Sequence, residues 1–291
     1  MNNQVKIIEC PRDAMQGLHD FVPTEIKTAY INKLLKVGFD TIDFGSFVSP
    51  KTIPQLRDSA EVLKGLQLSE TNSKLLAIVA NQRGAEDASN FEEISYLGYP
   101  FSISETFQLR NTNAGLEESL SRVEAIQNIC VKNGKKMVAY VSMGFGNPYG
   151  DEWNVDVVQK WVNTLAELDI RILSLSDTIG VADSKTIEYL FGNLIPPYPD
   201  VEFGAHFHTT ATTWQEKIDA AYRNGCKRFD GAIKGYGGCP MAKDELTGNM
   251  PTENLIYYFN KNNEVLNLNE EAFQESLEFA VESVFPEKTV N

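Results

Sequence analysis

The chain has few residues that could build a disulfide framework, a secretory leader or a membrane anchor. Its 291 residues include only four cysteines, at irregular spacing and without a C-x-x-C pair. No apolar run follows the opening Met-Asn-Asn-Gln, and no segment approaches the roughly 20 apolar residues that span a bilayer. These absences predict a reduced, soluble, cytoplasmic protein that does not act at a membrane.

Basic residues are also scarce. The chain has 26 lysines and arginines against 40 acidic residues, a net charge of −14. A duplex-binding surface would have to place many cations against phosphate, so we expect no nucleic-acid partner. With 42% hydrophobic residues, the chain can bury a large core, either as one α/β barrel or as two smaller domains.

Short β-rich runs alternate with longer stretches of helical period. Runs such as LLAIVA are almost continuously apolar, which is typical of parallel strands buried on both faces. The expected strands are 5–9, 41–44, 75–80, 101–106, 137–143, 172–176, 201–208 and 228–232. The expected helices include 24–37, 117–133, 156–168, 184–195 and 213–224.

This alternation predicts a fold. Eight strand–helix units of roughly 32 residues fit before residue 260, which is the count and size of a TIM (β/α)8 barrel. A doubly wound sheet is the alternative, but it would usually show a G-x-G-x-x-G turn where this chain has ECPRDAMQ. We therefore predict a single barrel domain over 1–291, with 261–291 as a C-terminal extension that contains a helix over 270–284.

Active sites of such barrels lie at the carboxyl ends of the strands. Strand one is expected to end in Arg12-Asp13, strand two to run into Asp43, and strand six to end in Asp177. The segment KGYGGCPMAKDELTGN follows strand eight.

Two of the chain's three histidines, His206 and His208, stand one residue apart at the end of strand seven. Alternate residues of a strand share a side, so both imidazoles should face the barrel axis, with the intervening Phe207 outside. With Asp13 and Asn249 they make a plausible metal site that leaves about two positions for a bidentate substrate. Equally, the two histidines could hydrogen-bond loop carbonyls and bind nothing. The third histidine should be a solvated loop residue.

Several motifs together resemble one enzyme family. CPRDAMQ, DFGSFVSPKTIPQLRD, SLSDTIGVA, HFHTT and GYGGCPMAKDELTGNMPTENL follow, in order and spacing, the pattern of the hydroxymethylglutaryl-CoA lyases. The likeness covers roughly residues 5–260, and SFVSPK with GGCP is typical of the lyase branch of a wider superfamily of metal-dependent barrels. SETFQLRNTN with GLEESL is similar to the corresponding lyase segment.

That resemblance implies a retro-Claisen cleavage of 3-hydroxy-3-methylglutaryl-CoA to acetyl-CoA and acetoacetate, with Mg2+ or Mn2+ as cofactor. The implied metal ligands are Asp13, His206, His208 and Asn249. The implied catalytic residues are Arg12, Cys239, His206 and Asp177. The residues expected to organise the site around these groups are Asp43, Gln16 and Glu253.

Each residue type suits the implied reaction. The cation lowers the pKa of the substrate hydroxyl so that a nearby base can take its proton. Arg12 is planar and always charged, which suits stabilisation of the enolate oxygen, although Arg12-Asp13 alone could be a surface ion pair. Cys239 matches the family's acid toward the enolate carbon, and its Gly-Gly-Cys-Pro setting suggests a mobile loop. Without the resemblance, that cysteine could equally be a buried small hydrophobe, as we expect for Cys10, Cys130 and Cys226.

The chain also departs from the family pattern. Only Gln16 aligns in the segment after Arg12-Asp13, and Asp43 stands in place of a glutamate, one methylene shorter, which leaves room for a water. Thr209 replaces a common acidic or amide residue, and the Cys239–Asn249 spacing is one residue longer. These changes bear on the identity of the acyl group more than on metal binding or carbon–carbon cleavage.

Coenzyme A carries several phosphate charges, which the acidic chain as a whole would not attract. A local basic cluster, Lys51 with Arg110 or Lys243, would have to bind it. Two other functions stay open: a condensing synthase of the isopropylmalate or citramalate type, and a barrel that binds metal and ligand without turnover. The synthases usually carry a further C-terminal domain, for which this chain has no room. We expect a homodimer.

Overall fold

The centre of the molecule is a closed barrel of eight parallel strands. The computed structural model describes residues 4–238 and 247–286. Each strand pairs with its neighbours in chain order, including β6 with β7. The pairing of β1 with β8 closes the ring. The predicted TIM barrel is thus confirmed. The strands are β1 (Lys6–Glu9), β2 (Thr41–Ser46), β3 (Lys74–Ile78), β4 (Ile94–Ser102), β5 (Lys136–Ser142), β6 (Ile172–Asp177), β7 (Glu202–Thr209) and β8 (Arg228–Gly231).

Helices surround the barrel, and several begin at a polar cap. Asn81, Ser104, Asn154 and Asp183 each accept a hydrogen bond from a backbone N–H of the first turn that follows. No helix in the described ranges is long and apolar enough to cross a membrane. The helices are α1 (Pro11–Gln16), α2 (Thr24–Val37), α3 (Ser59–Lys64), α4 (Gln82–Ser89), α5 (Glu105–Thr112), α6 (Leu116–Lys132), α7 (Val155–Glu167), α8 (Ser184–Leu194), α9 (Trp214–Arg223), α10 (Thr252–Lys261) and α11 (Glu270–Phe279).

Side chains alternate between two apolar layers along each strand. The larger layer fills the space between strands and helices, where Phe207 packs edge-on against Phe145 and Phe191. The smaller layer lies inside the barrel and includes Ile78 and Tyr140. Residues next to Phe207 on β7 therefore face the opposite side, which is the barrel interior.

The end of the described chain packs back onto the barrel. The N–H of Asn269 donates to the carbonyl of Val37 (2.9 Å), and Phe279 stacks on Tyr30 of α2 with ring centroids 6.4 Å apart. A π-helical turn, Ala280–Val284, follows α11. Earlier, the two-residue strand β9 (Gly248–Asn249) pairs antiparallel with β7, so that Asn249 lies opposite His208.

One predicted strand range and one predicted residue placement are wrong. Strand four, expected at 101–106, is Ile94–Ser102, because Ser104 caps α5 and Glu105 begins it. The first strand ends at Glu9, so Arg12 and Asp13 lie on α1 rather than on a strand end. A proline in the first turn favours this helix start. Helices α1, α3, α4 and α5, which the sequence did not predict, have 6 to 8 residues, too few to show a clear helical period.

Candidate metal centre and active site

A cavity of about 450 Å3 opens at the carboxyl ends of the barrel strands. Polar side chains from α1 and β7 lie beside apolar side chains from β3 and α5. The lining includes Arg12, Asp13, Gln16, Ile78, Phe107, Arg110, Tyr140, Ser142, His206 and His208. A second cavity, of about 500 Å3, lies at the other end of the barrel and contains none of the predicted site residues.

Arg12 is the centre of a buried ion-pair network. Its Nε and Nη2 donate to Oδ2 of Asp43 at 2.9 and 2.5 Å, and its Nη1 donates to Oδ1 of Asp13 at 2.9 Å. Gln16 accepts from the same Nη1 and donates to Asp13, each at 2.9 Å. The side chain of Arg12 is 9% exposed, so the surface ion pair that the sequence left open is wrong.

Asp43 is fully buried beneath Arg12. Burial raises the pKa of this carboxyl to about 6, although the charge and hydrogen bonds of Arg12 oppose the rise. Its Oδ1 atom has no hydrogen-bond partner within the described chain. This unpaired oxygen could bind the water that is expected in the space left by the shorter side chain. The water itself stays a prediction.

His206 and His208 both line the cavity, and their ring centroids are 5.6 Å apart. His206 Nδ1 lies 3.1 Å from Oδ2 of Asp230. Burial alone would lower the pKa of His206, but the hydrogen bond and charge of Asp230, with the charge of Asp13, raise it. Burial and the neighbouring His206 lower the pKa of His208 to about 4, so its ring is neutral and can offer a lone pair.

Asn249 reaches the site because β9 pairs with β7. Its Nδ2 donates to Oδ2 of Asp13 at 2.8 Å and to the carbonyl of Tyr236 at 2.9 Å. The amide oxygen, Oδ1, is buried and accepts no hydrogen bond from any described residue. A strong acceptor is therefore left free beside the two histidines.

These residues fit a divalent cation. One ligand atom each from Asp13, His206 and His208 lies within 4.8 Å of the others. Burial would raise the pKa of Asp13, but Arg12 and the histidines lower it, so the carboxyl is ionised. Two buried acceptors, Oδ1 of Asn249 and Nδ1 of His208, have no partner in the described ranges. A carboxylate, two imidazoles and an amide oxygen make a mixed oxygen and nitrogen donor set.

Asp177 does not line the cavity. Its Oδ2 accepts from Nζ of Lys217 at 2.6 Å, and its Oδ1 accepts from the N–H of Ala182 at 3.1 Å. Lys217 is buried and also donates to the carbonyls of Gly180 and His208, at 3.1 and 2.9 Å. The pair thus ties the end of β6 to the backbone of a candidate ligand, and a direct catalytic role for Asp177 stays a prediction.

Glu253 supports the segment after β8. Its Oε2 accepts from the N–H of Lys234 at 2.9 Å, in a backbone turn where Lys234 has φ +59°. Glu9, which sequence reasoning missed, is buried below the same segment. It accepts from the N–H of Ile233 at 3.0 Å and from the hydroxyl of Thr252 at 2.5 Å. Two acidic side chains therefore anchor the segment that leads into the Gly-Gly-Cys-Pro loop.

Gly237 lies against the candidate metal site. A Cβ atom at this glycine would lie 2.9 Å from Cα of Ala14, from O of Asp13 and from Nδ2 of Asn249. The backbone here also has φ +89°, which favours glycine. Cys239 and Lys243 lie outside the described residues.

The other basic residues predicted for coenzyme A are placed differently. Arg110 lines the cavity, and its guanidinium carbon lies 4.7 Å from the ring centroid of Tyr149. Lys51 is exposed and does not line the cavity. One basic group of the predicted cluster is therefore at the site.

Several minor expectations are also settled by the structure. Cys10, Cys130 and Cys226 are buried, as expected for small hydrophobic side chains. His19 is solvated, with 95% of its side chain exposed.

Sequence reasoning missed Asp230 and Tyr140. Asp230 contacts His206, and the Tyr140 ring packs edge-on against the same imidazole with centroids 5.7 Å apart. Both are inward residues of predicted strands. A signal was available, because a polar residue at an inward position of a buried barrel strand needs a partner.

Comparison with known proteins was consistent with this geometry. Residues 4–279 match the family model described as HMGL-like. The hydroxymethylglutaryl-CoA lyase YngG of Bacillus subtilis is 36% identical over 247 residues, which cover 85% of this chain and 82% of that protein. The cytoplasmic 3-hydroxy-3-methylglutaryl-CoA lyase of Danio rerio is 34% identical over 256 residues, covering 87% of this chain and 75% of that protein.

Solved structures agree. A crystal structure of the HMG-CoA lyase from Bacillus subtilis superimposes with a TM-score of 0.91 and 32% identity, covering 99% of this chain and 97% of that one. An HMG-CoA lyase from Acinetobacter baumannii, solved in complex with coenzyme A and 3-methylmalate, gives a TM-score of 0.86 and 28% identity. That match covers 94% of this chain and 89% of the other.

Proposed function

The chain belongs to the HMGL-like family of hydroxymethylglutaryl-CoA lyases, and from that premise we propose that it cleaves 3-hydroxy-3-methylglutaryl-CoA to acetyl-CoA and acetoacetate. It is accordingly a carbon–carbon lyase. The observation that carries the proposal is the cluster of Asp13, His206 and His208 at a cavity of about 450 Å3, with the free oxygen of Asn249 beside it.

We propose Asp13, His206, His208 and Asn249 as ligands of Mg2+ or Mn2+. When bound there, the cation supplies a Lewis acid that lowers the pKa of the substrate's tertiary hydroxyl. The residues themselves hold the ligand atoms in place: Arg12 and Gln16 orient the Asp13 carboxylate, and Asn249 donates to its other oxygen. The ligand set is therefore preorganised by hydrogen bonds within the protein.

Arg12 is proposed to stabilise the oxygen of the thioester enolate that forms when the carbon–carbon bond breaks. Asp43 and Asp13 fix its guanidinium plane, and the group lines the cavity. A positioned donor in a largely buried site stabilises developing negative charge more than a mobile side chain in water would.

Cys239 is proposed as the acid that protonates the enolate carbon. The reaction balances: a base removes the hydroxyl proton, the carbon–carbon bond breaks, and one proton from the thiol converts the enolate to the acetyl thioester. Gly237, Glu9 and Glu253 anchor the segment that leads to this cysteine.

Coenzyme A binding is proposed to involve Arg110. Its guanidinium lines the cavity and stacks over Tyr149, and an arginine can bind phosphate or carbonyl oxygens with several donors. An acidic protein with a net charge of −14 needs such a local cation to bind a polyanionic ligand.

The direct test is acetyl-CoA release from 3-hydroxy-3-methylglutaryl-CoA by the purified protein, with Mn2+ or Mg2+, with a chelator, and with Cys239→Ala. We expect release that requires metal and falls by a factor of at least about 100 in the variant, in the range of a lost general acid. The matched control is Cys130→Ala, which removes a buried thiol on α6 that does not line the cavity.

Other results would point elsewhere. No release by folded, metal-loaded protein would overturn the substrate assignment, and tight binding without product would favour a barrel that binds ligand without turnover. Condensation of acetyl-CoA with a 2-oxo acid would favour the synthase.

The last part of the proposal concerns the domain organisation, oligomeric state and location of the protein. We propose a single barrel domain over 1–291, with the C-terminal extension packed on α2, and a homodimer in the cytoplasm. Light scattering should then give about twice the monomer mass of 32.5 kDa, whereas a mass near 32.5 kDa at micromolar concentration would contradict the dimer.

A further inference from the structure

We propose that Asp230 is a positioning residue that fixes the ring of His206 for metal binding; this inference rests on the proposed metal site. His206 and Asp230 are register partners on β7 and β8. Their inward side chains therefore lie side by side, and Oδ2 of Asp230 is 3.1 Å from Nδ1 of His206.

The Asp230 carboxylate is buried and accepts a second hydrogen bond. Asp230 is 3% exposed and lies on a barrel strand, and the hydroxyl of Ser174 on β6 donates to the same Oδ2 at 3.4 Å. On another side of the imidazole, the Tyr140 ring packs edge-on at an interplanar angle of 80°. The ring of His206 is thus constrained by one hydrogen bond and one aromatic contact.

This contact selects the ring nitrogen that faces the cation. An imidazole that donates from Nδ1 to a carboxylate keeps its lone pair on Nε2. Nε2 can then join Asp13 and His208 as a ligand. The carboxylate also makes the ring a stronger electron donor, as in other carboxylate–histidine–metal arrangements.

The orientation of the His206 ring matters because a second group of residues could also hold a metal. Cys10, His206 and Asp230 also place one ligand atom each within 4.8 Å of one another. A metal held there would take Asp230 itself as a ligand and would compete with the hydrogen bond between Asp230 and His206. That hydrogen bond therefore favours the ligand set of Asp13, His206 and His208.

The first measurement is Mn2+ affinity, by calorimetry, of the full chain and of Asp230→Ala and Asp230→Asn. We expect about 10- to 100-fold weaker binding for the alanine variant, the range for loss of such a partner. The asparagine variant should lie between, because its amide oxygen can still accept from Nδ1–H. Asp58→Asn is the matched control: it removes a buried carboxylate paired with Lys27 at 2.7 Å, and it should leave Mn2+ affinity unchanged.

The second measurement reads the tautomer of His206 directly in the unaltered protein. The chain has only three histidines, so 15N-histidine NMR of the Mg2+-loaded protein should resolve each ring, with His206→Gln for assignment. We expect a proton on Nδ1 of His206 and none on Nε2.

The outcomes separate this inference from the proposed function. Absence of Mn2+ binding by the unaltered protein overturns the metal site and this inference together. Binding that Asp230→Ala leaves unchanged, or a proton on Nε2 of His206 in the Mg2+ form, overturns the role of Asp230 alone.

Discussion

Glu9 illustrates how burial of one side chain couples stability to pH. Burial raises the pKa of this carboxyl from 4.5 to about 8, against the hydrogen bonds from Thr252 and the N–H of Ile233. Because the folded-state pKa lies above the unfolded value, the protonated carboxyl stabilises the fold. That contribution is complete below about pH 4.5 and is lost as the pH rises toward 8.

Glu9→Gln should remove this dependence. The amide has nearly the same shape but cannot ionise, so the variant should gain stability relative to the unaltered chain as the pH rises from about 5 to about 8. Urea unfolding across that range measures the difference. Glu202→Gln, at a part-exposed carboxylate paired with Lys6, is the control, and a Glu9→Gln difference that stays constant with pH would contradict the explanation.

Single residues differ in how far the sequence predicts them. His206 and His208 could be placed together because alternation along a strand requires it. Asp230 was not anticipated, because one acidic residue in an apolar strand is a weak signal until the neighbouring strand's register is known. Asp177 was placed at the correct strand end, but its partner Lys217 lies on a helix 40 residues later, a pairing that no local pattern predicts.

At the scale of elements, the segment after β8 depends on glycine. Gly237→Ala would place a methyl group 2.9 Å from Asn249 and from the backbone of α1, at φ +89°. We expect about 1–3 kcal/mol lower stability, the usual cost of strained backbone, together with weaker Mn2+ binding, because Asp13 and Asn249 must move apart.

Gly134→Ala is the matched control for that variant. Gly134 also has positive φ, +66°, but an added Cβ would meet nothing within 4 Å. It should lose some stability and keep its Mn2+ affinity. If calorimetry gave equal Mn2+ affinity for the unaltered chain, Gly237→Ala and Gly134→Ala, the close contact at Gly237 would not shape the metal site.

The helices themselves were largely predictable where they are long. The helix expected over 24–37 is α2, residue for residue, because its apolar positions repeat over nearly four turns. Short elements were not predicted, for a physical reason. Helix α1 has only six residues, and its position is set by a proline and a buried ion-pair network rather than by a repeating apolar pattern. Strand four was displaced because 101–106 contains the cap of α5.

For the whole molecule, the count of strand–helix units was sufficient to predict the barrel. The sequence could not show the side-chain contacts between neighbouring elements, such as those of Arg12 with Asp43 and of His206 with Asp230. Nor could it show that β9 returns to β7, since a strand of two residues has no pattern of its own.

That return has a consequence for how the protein is made. The hydrogen bond from Asn249 to Asp13 joins residues 236 positions apart, and contacts of long sequence separation form late. A ribosome-bound chain that has emerged only through β8 lacks Asn249 and the cysteine loop. With the proposed ligands and acid, newly synthesised chains would stay inert toward both metal and thioester until almost the whole barrel has been translated, and a prematurely terminated product would have no partial activity.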